Sequence, residues 1–155
     1  MDIKRCTKES FAVIGREGST LDGKNFIQKL WDDVLSHFNE ISDLALKDIN
    51  GNIVGRWGLT SDFNHNLKPW EENYRRGLYL AGVECNIDAD APYGWTKWII
   101  PSYEYIYVEI ENKDTFIKTI FYLEENNIPL IGGVNKYYSP ITKKDYLFFP
   151  IKKID

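Results

Sequence analysis

The stretch WIIPSYEYIYVEIENKDTFIKTIFYLEENN, Trp98 to Asn127, changes its period in the middle. In residues 98–111 the alternation puts Tyr103, Tyr105 and Tyr107 on one side and Glu104, Ile106, Val108 and Ile110 on the other, which is the two-residue period of a strand. From residue 113 onward Phe116, Ile117, Ile120, Phe121 and Leu123 recur at helical spacing. A helix over 113–125 follows, with Asn112 as its cap and with Asn126 and Asn127 stopping it before Pro129. Downstream, residues 130–138 and 146–151 read as a hairpin across the 139–145 loop.

The same order precedes this stretch. SFAVIG at 10–15 is a short run of strand formers, and residues 24–38 carry the helical stripe Ile27, Leu30, Trp31, Val34, Leu35 and Phe38 behind a cap at Asp22. Residues 52–60 then alternate, with Trp57 and Arg56 on opposite faces, and GLYLAGVEC at 77–85 is a further strand. Strand, helix, strand, strand thus occurs twice, in pseudo-repeats of about 1–87 and 95–155. Neither half is large enough for a core of its own, so 1–155 is read as one domain. The expected class is α+β: a curved antiparallel sheet, two helices on one face, and a cleft between the halves on the other.

Composition narrows the function. The apolar runs fall short of the ~20 residues of a membrane span, and the first residues lack the apolar core of a signal peptide, so a cytoplasmic protein is expected. A net charge of −4 argues against direct nucleic-acid binding, and the pairs Lys143-Lys144 and Lys152-Lys153 are too small for a phosphate footprint. Two cysteines, Cys6 and Cys85, with two histidines offer no metal cluster, and the glycines have no phosphate-loop spacing. No metal and no cofactor are expected. Aromatic residues make up 15% of the chain, which suits a binding surface as well as a core.

The expected aliphatic row of residues 98–111 faces the helices, which turns Tyr103, Tyr105 and Tyr107 toward the cleft, where rings can stack on a flat ligand or a cation. Tyrosines also favour any strand face, so this row alone does not prove a pocket. Trp57, Trp70, Trp95 and Trp98 sit at strand ends and loops where cleft walls are built, whereas Trp31 lies on the helix stripe and reads as core. Glu84 alternates with Leu80 and Gly82; it is either solvent-facing or a buried carboxylate able to pair a cation or move a proton. No nucleophile with a neighbouring base is evident.

The segments FAVIG, FIQKLWDDV, YLAGVEC, WIIPSYEYIYVEI and YLFFPIKK together resemble the GyrI-like small-molecule-binding family, which includes effector-binding domains of AraC- and MerR-type multidrug regulators and integron-associated effector-binding proteins. The resemblance spans essentially the whole chain. It implies paired strand-helix-strand-strand units that bind amphipathic, aromatic, often cationic compounds in the groove between them, with Trp57, Trp70, Glu84, Trp95, Trp98, Tyr103, Tyr105, Tyr107 and Tyr137 as candidate ligand contacts. It also implies two alternatives: a hydrolase of cyclopropane-bearing alkylating compounds, with Glu84 as its acid, or a protein-contact regulator of a transcription factor or topoisomerase. Such a protein is a monomer or homodimer. One departure stands out: where the family keeps a ligand-pairing carboxylate after a Gly pair, this chain has Asn135 and Lys136.

Overall fold

The computed structural model describes residues 1–154. Its strands are β1 (Lys4–Lys8), β2 (Phe11–Ser19), β3 (Arg56–Ser61), β4 (Leu78–Cys85), β5 (Thr96–Ile100), β6 (Tyr103–Glu109), β7 (Asn135–Tyr138) and β8 (Asp145–Lys153). The helices are α1 (Phe26–Ser36), the single turn α2 (Glu71–Tyr74) and α3 (Thr115–Glu125). All eight strands join one antiparallel sheet in the order β1-β6-β8-β7-β3-β4-β2-β5. The units β2-α1-β3-β4 and β6-α3-β7-β8 mirror each other across the β3–β7 pair, so the doubled order expected from the sequence is present.

The strand expected over 98–111 is two strands, broken at Pro101-Ser102. Pro101 has no N–H for a ladder, and the chain bends there. The facing chain bends at Glu9-Ser10, and the register holds across both bends: Lys8 lies opposite Tyr103, and Phe11 opposite Ile100. Ser10 N–H donates to Ser102 Oγ at 2.8 Å, and Ile154 N–H donates to Ser102 O at 3.0 Å, which pins the corner. The two ends of the sheet are therefore tied through continuous chains, and the sheet curls almost into a barrel. Strand β1 has no apolar alternation, because KRCTK runs along an edge where charges guard against further pairing.

Curling divides the sheet into two unlike faces. On the outside, Ala12, Ile14, Ala81 and Val83 pack under α1 around Val34, while Ile106, Val108 and Phe149 pack under α3 around Ile120 and Leu123. Both helices thus lie on one face, as their apolar stripes require. On the inside, Phe11, Val13, Trp57, Leu59, Leu80, Trp98 and Tyr105 converge, with Phe63, Leu67 and Ile131 packed against them. The face away from the helices, where the sequence placed an open cleft, is for the most part a packed interior. The curl that closes the sheet leaves its inner side chains only one another to meet.

Local signals moved a little. Asp22 is the last residue of a short 3-10 turn, Thr20–Asp22, whose cap is Ser19: Ser19 Oγ accepts from Leu21 N at 3.1 Å, and Asp22 reaches back to accept from Ser19 N at 2.7 Å; α1 begins after Asn25, which has a left-handed φ of 62° and makes no side-chain cap bond. At α3 the residue before the helix is Asp114, and Thr115 Oγ1 accepts from Glu111 N and Asn112 N at 3.0 and 3.2 Å. The strands expected over 130–138 and 52–60 shorten to β7 and β3.

Candidate functional site

Between α1 and α3, over the β3–β7 junction, lies a cavity of about 420 Å³. Its floor is the outward face of the sheet. Lys136 pairs with Gly58 on one side and with Leu147 on the other, and Thr60 pairs with Tyr79. Gly58 is the low point, because Trp57 and Leu59 turn inward and position 58 carries no side chain. One wall is Ile27, Gln28 and Trp31 of α1; the other is Phe116 of α3. Pro69, Trp70 and Tyr74, from the connection between β3 and β4, close one end. A cavity of this size, built mainly from apolar and aromatic groups with a few polar atoms, has the character of a small-molecule site.

The rings are fixed from behind. Trp31 Nε1 donates to the Tyr79 hydroxyl at 3.3 Å, and Trp70 Nε1 donates to Leu78 O at 2.8 Å. Burial pushes the Tyr79 phenol up to about 12, against the opposing effect of the Trp31 bond, so it is a protonated donor at neutral pH. Burial, with Glu124 adding to it, also raises Tyr74. Phe116 is held by Tyr74, edge-on at 5.4 Å, and by Phe149 at 5.9 Å.

Of the nine residues singled out in the sequence, only Trp70 borders this cavity. Trp57, Glu84 and Tyr137 gather instead, with Lys8, Val54 and Phe148, around a recess of about 250 Å³ at the inner face. There Glu84, 9% exposed, accepts from Trp57 Nε1 at 3.0 Å and from Lys8 Nζ at 3.3 Å. The Tyr137 ring lies tilted against Trp57, 4.6 Å away, and its hydroxyl donates to Val54 O at 2.8 Å. Trp98, Tyr103 and Tyr105 are buried in the inner core. Trp98 donates to Glu17 at 2.7 Å, and burial raises the Tyr103 and Tyr105 phenols. Tyr107 lies against Phe148, 5.0 Å away, and borders a separate recess with Lys144 and Tyr146. Trp95 sits on the helix side, under the Arg16 guanidinium at 3.9 Å.

Trp31, read from the helix stripe as core, is instead half-buried and faces the cavity. With Tyr74, Tyr79 and Phe116 it was missed because helix stripes and strand alternation mark what faces the sheet, and a cavity between two helices uses the flank of each stripe. The available signal was Gly58 and Thr60, two small residues on the outward face of a strand that a helix should cover. Asn135 and Lys136 separate: Asn135 is buried and accepts from Thr60 N at 3.0 Å, whereas Lys136 reaches the cavity floor.

Among the described residues no cluster of His, Cys, Asp and Glu could hold a metal ion, and no helix is long and apolar enough to cross a membrane. Burial raises the thiols of Cys6 and Cys85, which keeps both protonated and poorly nucleophilic.

No protein-family model matches the chain. No curated protein matches it either. Solved structures do. SAV2435 bound to tetraphenylphosphonium superposes with a TM-score of 0.66 at 17% identity, covering 98% of this chain and 94% of that one. The C-terminal domain of EcmrR superposes at 0.66 with 12% identity, over 99% of this chain and 98% of that one; within the EcmrR–DNA complex the match spans 58% of the EcmrR chain. The fold is GyrI-like. An integron cassette protein of Vibrio cholerae has the same GyrI-like arrangement, at a TM-score of 0.57 and 14% identity over 97% of this chain and 95% of that one. At these identities the likeness carries the GyrI-like fold, and the chemistry rests on this chain's own side chains.

Proposed function

We propose that the protein binds amphipathic, aromatic small molecules in the cavity between α1 and α3, as a sensing or sequestering domain. One observation carries this reading: Trp31, Trp70, Tyr74, Tyr79 and Phe116, drawn from both halves of the fold, surround one cavity of about 420 Å³. Such rings present large rigid faces at low entropic cost and bind planar or propeller-shaped aromatic bodies. The tetraphenylphosphonium bound by SAV2435, a protein of the same fold, supports the class of ligand.

The hydrolase alternative needs an acid beside the substrate. None of the described residues bordering the cavity is Asp or Glu, and Glu84, the acid first considered, has both oxygens engaged at the inner recess. The residues present hold and orient a ligand, which favours binding over turnover.

Titration with Nile red, a neutral aromatic dye, tests the reading through dye emission. The expected affinity is micromolar, about −8 kcal/mol. Ile27→Trp, which fills the cavity from the half-buried flank of α1, is expected to weaken binding by roughly tenfold or more while leaving the circular dichroism unchanged. Dye binding unaltered by that substitution would overturn the site.

A further inference from the structure

We propose that the natural ligand of this cavity is an aromatic anion, its acidic group received by Lys136 and Arg56. The proposal rests on the binding reading above and adds the charge of the ligand to it.

Lys136 is the one charged residue among those described as bordering the main cavity. Its place follows from the register: it sits opposite Gly58, whose missing side chain leaves that part of the floor to the Tyr79 hydroxyl and the lysine stem. Past Trp31, Gly58 and Lys136 the cavity continues into a recess of about 190 Å³ bordered by Arg56, Tyr138 and Asp145. Arg56 precedes Gly58 by two residues on β3 and shares its face; its guanidinium lies over the Tyr138 ring at 4.5 Å. The aromatic chamber therefore opens onto two cations.

Asp145 is the only acid there among the described bordering residues, and it does not cancel them. Its carboxylate lies 3.9 Å from Lys136 Nζ, at the limit of an ion pair, and both side chains are about half exposed, at 41% and 50%. Such a contact holds weakly and yields readily to a better-placed anion. Two cations facing one carboxylate leave a positive end to the groove, which favours an anionic ligand and opposes a cationic one.

The uncharged polar atoms agree. The Tyr79 hydroxyl accepts from Trp31, which leaves its own proton free to donate, and burial keeps it protonated. Gln28 commits one of its two amide N–H groups to Asp32 at 2.9 Å, and Thr60 commits its hydroxyl proton to Val134 O at 2.7 Å. Donors of the chamber such as Tyr79 and Lys136 match a ligand with acceptor oxygens, for example an aromatic carboxylate or sulfonate.

Tetraphenylborate and tetraphenylphosphonium have nearly the same shape and opposite charge, so calorimetric titration of the full chain with each isolates the charge. The borate is expected to bind roughly tenfold tighter or more, with the preference shrinking as salt rises. Lys136→Met is expected to cut borate affinity by about tenfold more than phosphonium affinity, so that the borate preference collapses toward parity, which a merely structural role would not do. Phosphonium binding as tight as borate binding overturns the anion proposal and leaves the binding site standing. A Lys136→Met variant that weakens both ions equally and keeps the borate preference also overturns it. If neither ion nor Nile red binds the parent chain, the binding reading itself fails and the anion proposal falls with it.

Discussion

The hydroxyl of Tyr79 lies directly over Gly58, so close that a β-carbon at position 58 would overlap it. Tyr79 cannot easily retreat: it is 5% exposed, meets Phe26 edge-on at 6.3 Å, and accepts the Trp31 indole N–H. Gly58→Ala is therefore expected to destabilise the fold by about 1–3 kcal/mol, the usual cost of overpacking, despite the better strand propensity of alanine. Thermal denaturation measures the loss. The displaced phenol would enter the cavity, so dye affinity should fall in the same variant.

The five tryptophans separate by location. Trp31 and Trp70 border the cavity, whereas Trp57, Trp95 and Trp98 do not. An aromatic ligand is expected to quench emission in Trp98→Phe about as much as in the parent chain, and to lose most of that effect in the Trp31→Phe, Trp70→Phe double variant. Steady-state fluorescence titration reads both. Quenching that follows Trp98 instead would put the ligand at the inner face.

Asp62 gives a pH dependence with a definite sign. Burial opposes its ionisation, but Ser61 Oγ at 3.0 Å, Asn66 N at 2.8 Å and Lys68 N at 3.4 Å all donate to its Oδ1, and together they hold the carboxyl below its ordinary value. A depressed native pKa adds stability that is fully present above the unfolded value of ~3.9 and is lost as pH falls through the native one. Asp62→Asn should lower the melting temperature at pH 7, and the gap to the parent chain should close below about pH 4. The loop that Asp62 organises leads into Pro69 and Trp70, so the variant should bind dye more weakly at neutral pH.

Glu84→Gln separates the two recesses. The amide oxygen still accepts from Trp57, but Lys8 loses its counter-charge while remaining over the Phe11 ring at 4.5 Å. Removing one partner of a partly buried pair should cost about 1–2 kcal/mol, measured by urea denaturation. Dye affinity at the helix-side cavity should not change, because Glu84 does not border it.

The doubled strand-helix-strand-strand order was legible because each element announces its own period: Ile106, Val108 and Ile110 alternate, whereas Phe116, Ile120 and Leu123 recur at helical spacing. Pro101 marks a bend inside the stretch read as one strand, and the tyrosine side of that stretch is the one read as the wall of an open cleft. With the break restored, β5 and β6 belong to opposite ends of the sheet, the sheet curls, and the Tyr103–Tyr105 row becomes interior. Alternation tells which residues share a face; it does not tell whether that face is covered. The cavity depends on the gap left between two helices that never adjoin in sequence, and only Gly58, Thr60 and Lys136 on the strands beneath hinted at it.

A crystal structure of the protein grown with anilinonaphthalene sulfonate tests the central claim most directly. The account predicts the dye between Trp31 and Phe116, above Gly58, with its sulfonate toward Lys136. Dye lodged against Trp57 and Glu84 at the inner recess, with the space between α1 and α3 empty, would contradict it.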